Sequence, residues 1–144
     1  MPSVVLDVNV IVDGFFQGKG AAVAIARHWE RGDLNVAISI HIIDQVLEVW
    51  TRPFFATRAA EVDRALAVRL MQSAAELFEP DPSVRGVCDD GEDDLVLGTA
   101  VAAEADYLVT GDKGFLRIEQ YRGVWIVSAA EFLVLIRQEL EPDS

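Results

Sequence analysis

The sequence predicts an α/β fold of three layers, with helices on both faces of a central parallel sheet. Three observations carry that expectation. Short apolar runs alternate with stretches of helical spacing along the whole chain, which is the pattern of strand–helix–strand units. The first apolar run closes on an acid, Asp7, as a buried parallel strand ending at a cleft would. A late helical stretch is rich in Ala and Val, which suits close packing against a sheet.

The elements follow in order. Ser3-Val4-Val5-Leu6-Asp7 reads as the first strand. Helical spacing covers 10–16, and a Gly18-Lys19-Gly20 break precedes a second helix over 21–31, which Gly32 ends. A second strand is expected over 35–39. Over 40–51, Ile42, Ile43, Val46, Leu47 and Trp50 fall at core spacing on a helix that Pro53 terminates. Residues 59–78 form the longest periodic segment, with Leu66 and Leu70 four apart beside Ala67, Met71 and Ala74, and read as one helix. After a loop over 79–83 comes the acidic turn Asp89-Asp90-Gly91-Glu92-Asp93-Asp94, leading into the small-residue helix over 94–104. A third strand over 106–110, a helical turn over 115–118, a fourth strand over 123–127 and a last helix over 129–140 complete the chain.

With 144 residues, and without repeats or a Pro-, Gly- or Ser-rich linker, residues 1–144 are expected to form a single domain. Apolar residues are 51% of the chain, yet no run approaches the ~20 needed to cross a bilayer, so no membrane span is expected. The start of the chain lacks a secretory pattern, and a single Cys88 fits a reducing compartment, so cytoplasm is the expected location. A net charge of −12 argues against a passive nucleic-acid-binding module, because phosphate neutralisation normally supplies most of that affinity. It argues less against a metal-dependent nuclease, whose bound cations offset part of an acidic site.

Three acids should converge outside the carboxyl ends of the strands, where open parallel sheets build their sites. Asp7 ends the first strand, Asp112 follows the Tyr107-Leu108-Val109 strand by three residues, and Asp93 stands just before the helix that packs beside it. An acid at a helix start also has a plain use as a cap. Carboxylates gathered in one cleft repel one another, and Mg²⁺ or Mn²⁺ relieves this, since both are hard cations that take oxygen ligands. That pattern suggests metal-assisted phosphoryl chemistry and names no substrate.

Here the sequence resembles a known family, the PIN domains. Val5-Leu6-Asp7-Val8-Asn9-Val10-Ile11 is similar to their opening strand and turn. Cys88-Asp89-Asp90-Gly91-Glu92-Asp93-Asp94-Leu95-Val96-Leu97 resembles their third-acid segment, and Asp106-Tyr107-Leu108-Val109-Thr110-Gly111-Asp112 their closing strand and acid. Arg52-Pro53 and Val124-Trp125-Ile126-Val127 extend the likeness over nearly the whole chain, nearest to the toxin components of toxin–antitoxin pairs. The resemblance implies a PIN-like α/β/α fold and a Mg²⁺- or Mn²⁺-dependent endoribonuclease cutting single-stranded or loop RNA. It further implies a cognate antitoxin as partner and homodimers as a common assembly. It gives Asp7, Asp93 and Asp112 the role of metal carboxylates, with Asn9 orienting Asp7 or a water and Thr110 supporting the closing acid. Asp93 rather than Asp94 is chosen because it stands seven residues before Ala100.

One position departs from the family: Gln45 stands where a glutamate is usual. Glu48, three residues on, shares that helix face and is a candidate replacement ligand, and Asp13 could add charge. The departure keeps a second reading open, a PIN fold that has lost activity and serves as a binding scaffold. A haloacid-dehalogenase-like phosphatase fits less well, because Asp7-Val8-Asn9 lacks that family's second aspartate, and a receiver domain lacks its phosphorylatable Asp at Ile38-Ser39. Gly14 to Gly20 is too short for a P-loop. His28, His41 and Cys88 read as structural or surface residues. Arg52 and Arg58, around Phe54 and Phe55, form a basic–aromatic stretch suited to gripping RNA, or a core or dimer contact.

Overall fold

A computed structural model describes residues 1–16, 20–57 and 63–140. Six strands form one sheet in the order β3-β2-β1-β4-β6-β5. They are β1 (Ser3–Leu6), β2 (Asn35–Ile38), β3 (Ala75–Leu77), β4 (Tyr107–Val109), β5 (Gln120–Tyr121) and β6 (Val124–Val127). All pairings are parallel except β5 with β6. The helices are α1 (Val8–Gly14), α2 (Ala21–Arg31), α3 (Ile40–Trp50), α4 (Pro53–Ala56), α5 (Arg64–Ser73), α6 (Gly91–Ala102), α7 (Lys113–Leu116) and α8 (Ala129–Leu140). Among these residues no helix is long and apolar enough to cross a membrane.

The central strands are apolar on both sides because both faces are covered, and Val4, Val5, Val36, Leu108 and Val109 are all buried. The β1-to-β2 and β3-to-β4 connections run in opposite directions along the sheet. Right-handed crossovers therefore place α2 and α6 on opposite faces. On one face α2 packs against α8; on the other α6 lies over β1, β2 and β4. A loop presses on α6 where the Gly98 carbonyl accepts the Asp81 N–H (3.0 Å). A Cβ at Gly98 would meet the Asp81 backbone at 3.1 Å, so glycine fits that approach.

The strands and helices expected from the sequence are present, with shifted ends. Both the first helix, which starts at Val8, and α6, which starts at Gly91, begin earlier than expected, because Asp7 and Asp90 each cap their helix with a side-chain carboxylate. Pro53 follows the end of α3, and it also opens α4 at its first turn. The single helix expected over 59–78 is corrected. Its described part is α5, which stops at Ser73, and Ala75–Leu77 joins the sheet beside Val36–Ile38. The Trp29 indole N–H donates to the Ala74 carbonyl at 2.8 Å and fixes that turn. The start of the expected segment, 59–62, lies outside the described residues, as does the Gly18-Lys19 break. The two-residue β5 is also an addition to the expected set.

Candidate metal centre

Strands β1 and β4 are neighbours whose connections leave in opposite directions, and a crevice opens outside their carboxyl ends. Asp7 follows β1 and Thr110 follows β4, and register aligns Leu6 with Val109. The Asp7 carboxylate is buried at 7% exposure. One of its oxygens accepts the Val8 N–H (2.8 Å) and the other the Thr110 hydroxyl (2.7 Å). The same Thr110 Oγ1 accepts the Asp112 N–H at 3.1 Å, so one wholly buried hydroxyl ties both strand-end acids together. Asp112 in turn caps α7 by accepting the Phe115 N–H (2.9 Å).

Asp93 completes the group electrostatically. Burial, then the charges of Asp7 and Asp112, push its carboxyl up to about 6. Burial likewise pushes Asp7 up, partly offset by the Thr110 and Val8 hydrogen bonds, with Asp112 raising it and His41 lowering it. A cleft of about 230 Å³ opens beside Asp89, Asp90, Asp93 and Asp112. Asp90 is the cap of α6, accepting the Glu92 N–H at 2.9 Å, which leaves Asp93 unneeded as a cap.

Asp94 has a different task. Its carboxylate accepts the N–H groups of Gly86 (2.9 Å), Val87 (3.2 Å) and Cys88 (2.8 Å), closing the loop ahead of α6. Partial desolvation raises its carboxyl, but those donors outweigh it and hold it below the usual range. The Cys88 thiol, desolvated and beside Asp94, is pushed up to about 12, so it stays protonated and inert.

The other expected residues are not brought into the cluster. Asn9 is exposed in the first turn of α1, and the Asp7 oxygens bond Val8 and Thr110 instead. Glu48 is exposed with its carboxylate 3.1 Å from Arg52, on a surface ion pair one turn apart. It also sits about 10 Å farther down α3 than His41, by the ~1.5 Å rise per residue. Asp13 is raised by partial desolvation, without influence from the other acids. Gln45 is half-buried, one turn below His41 on the same face. Of the expected RNA-gripping stretch, Arg52 is the partner of Glu48, and the Phe54 and Phe55 rings pack with Phe16 at 6.0 and 5.7 Å. Arg58 lies outside the described residues.

Sequence reasoning missed His41. Its Nε2 stands 3.1 Å from Glu92 Oε2, and it lies close enough to Asp7 to influence that carboxyl. The signal was available: His41 lies in the first turn after Ser39, at the carboxyl end of the strand next to β1.

Among the described residues no three His, Cys, Asp or Glu side chains already stand in metal-holding geometry. The donor set nevertheless fits a hard divalent cation. It offers carboxylate oxygens, two of whose groups, Asp7 and Asp93, are raised first by burial and then by neighbouring acids, and a cation relieves that cost. Thr110→Val keeps the volume and removes the hydroxyl, so it tests the tie directly. Mn²⁺ affinity by calorimetry should fall ~10–100-fold, and unfolding free energy by about 1–2 kcal/mol. Thr110→Ser should keep most of both, and unchanged affinity in the Val variant would remove Thr110 from the site.

The chain is a three-layer α/β/α fold with acids at its switch point. The PIN domain family model matches residues 3–114, and the chain belongs to that family. PIN domains are in general nucleases that use divalent metal ions. No curated protein matches the chain. Among solved structures, it is similar to a chain of the VapBC2 complex from Rickettsia felis bound to a DNA fragment from its promoter. That likeness has a TM-score of 0.57 at 16% identity and covers 88% of this chain and 98% of the other, which establishes a shared fold.

Proposed function

We propose that the protein is a Mg²⁺- or Mn²⁺-dependent endoribonuclease and the toxin of a toxin–antitoxin pair, with a small cognate antitoxin as its partner. The observation that carries this reading is the convergence of Asp7, Asp93 and Asp112 at the switch point, two of them joined through Thr110. Membership in the PIN family supports nuclease chemistry, and the toxin role rests on the resemblance of the motifs. Asp7, Asp93 and Asp112 would hold the cation, which would supply Lewis-acid activation of water and neutralise charge on the phosphoryl oxygens. Thr110 fixes the Asp7 oxygens before substrate arrives, so no rotamer need be ordered during the reaction. The capping bonds of Asp112 fix its direction in the same way.

The second reading, an inactive binding scaffold, is kept by Gln45, a neutral amide at the position where the family usually has a glutamate. One assay separates the two. Purified protein is incubated with single-stranded and hairpin RNAs in Mn²⁺, Mg²⁺ or EDTA, beside Gln45→Glu. Cleavage that needs metal is the expected result, and Gln45→Glu should raise it ~10-fold by adding a charged donor. Cleavage by neither protein, with both folded and metal in excess, would favour the scaffold.

A further inference from the structure

Ten of the twelve cationic residues are Arg, and three of them line one cleft that is separate from the cleft beside Asp93 and Asp112. A space of about 550 Å³ along the α2–α8 seam is lined by Arg27, His28 and Arg31 of α2 and by Arg137 of α8, over Val23 and Ala24. Asp33 answers part of this charge: it lies 2.7 Å from His28 and 3.6 Å from Arg31. Arg27 and Arg137 form no ion pair among the described residues. Glu30 and Asp63 border a separate cleft on the other side of Arg27. The seam is therefore a local concentration of positive charge on a protein of net charge −12.

We infer that this seam is an anion-binding groove that takes the phosphodiester backbone of a single RNA strand. Arg27 and Arg31 are one helical turn apart, about 5–6 Å between their Cβ atoms, so two guanidinium forks can meet neighbouring phosphates. Arg137 supplies a third fork from the opposite wall. The groove also leads somewhere. An adjoining cleft of about 400 Å³ shares Gly20 and Val23 with it and runs past Asp13 to Ala129. Ala129 follows the carboxyl end of β6, the strand beside β4 and the same sheet end as Thr110 and Asp7. On the nuclease reading, from which this assignment takes its substrate, a strand held along the seam is delivered to the acids. An acidic peptide would match the arginines equally, but it would gain nothing at a carboxylate-lined end.

The test is fluorescence anisotropy of a labelled single-stranded RNA in EDTA, where no cutting occurs, over a range of salt. Arg27→Glu/Arg137→Glu should bind at least 10-fold more weakly than the unchanged protein, with a salt slope shallower by about 1.4, or ~0.7 for each phosphate no longer neutralised. Arg27→Lys/Arg137→Lys should retain most of the affinity. Both positions are exposed, and circular dichroism will check that the charge-reversed protein is folded. Equal binding by the charge-reversed protein, absence of RNA binding by the unchanged protein at low salt, or preference for a polyglutamate peptide would each overturn the groove. Asp7→Asn separates the two proposals. Arginine-dependent binding that persists in Asp7→Asn supports the groove even if no RNA is ever cut. Metal-dependent cutting with binding indifferent to the arginines sinks the groove and leaves the nuclease standing.

Discussion

Asp7→Asn should abolish metal-dependent cleavage while making the metal-free protein more stable. The loss should exceed the ~10–100-fold that removing an outer partner of a metal ligand costs, because on the proposed reading Asp7 is itself a ligand. The gain follows from burial. At 7% exposure the Asp7 carboxylate carries a desolvation cost that its two hydrogen bonds only partly offset. Asn fills the same space without the charge, and the Thr110 hydroxyl can turn to accept from the amide. Roughly 1 kcal/mol, or about 3 °C in melting temperature, is expected.

The pH dependence has the matching sign. Asp93 is raised to about 6 in the folded state, so between pH 4 and about 6 it binds more proton in the folded protein than in the unfolded chain, and Asp7, also raised, acts with the same sign. Their contribution to stability therefore falls as pH rises through that window, and is flat above it. At the part-exposed Asp93 solvent screening leaves roughly 1 kcal/mol of this. Melting curves in EDTA from pH 4 to 7 should show a difference between native protein and Asp7→Asn that widens with pH. Saturating Mn²⁺ at pH 7 should cancel it, since a ligand that binds only the folded state restores stability. A variant that melts lower than the native protein at pH 7 in EDTA would mean that Asp7 is a structural cap and little else.

What the sequence could and could not reveal follows from how local each signal is. α2 and α8 were legible because a helix writes its own period, and Gly32 marks the end of the first. β3 was not, because Leu70, Ala74 and Phe78 continue a spacing of four and only pairing with β2, some forty residues away in sequence, turns Ala75–Leu77 into a strand. The placing of Asp7 and Asp112 at strand ends could be read from the residues alone, since each follows an apolar run, although both also cap the helix that comes next. Asp93 could not be told from Asp90 or Asp94 by pattern, and the choice rested on family alignment. Their hydrogen bonds divide the labour: Asp90 caps, Asp94 closes a loop, and Asp93 is left facing two other acids. His41 escaped because its partner, Glu92, lies on a different helix.

That division predicts opposite outcomes for neighbouring residues. Asp93→Asn should lose cleavage and hold or gain stability, because it removes a charge raised by burial and by Asp7 and Asp112. Asp94→Ala should do the reverse at first order, lowering stability by about 2 kcal/mol as three backbone N–H groups lose a charged acceptor. Some activity should go with it, because the loop from Gly86 to Cys88 sets where α6 and Asp93 begin. That part should be recoverable at low temperature, whereas the Asp93→Asn loss should not be. The pH slopes differ in sign as well. The Asp94 carboxyl is held low, so its contribution is present above its unfolded pKa and disappears as pH falls through the folded one. Melting curves and cleavage rates for the two variants, taken at two temperatures, decide the matter. If Asp94→Ala melts like the native protein and fails to cut at either temperature, Asp94 is the metal carboxylate and its neighbour the structural one.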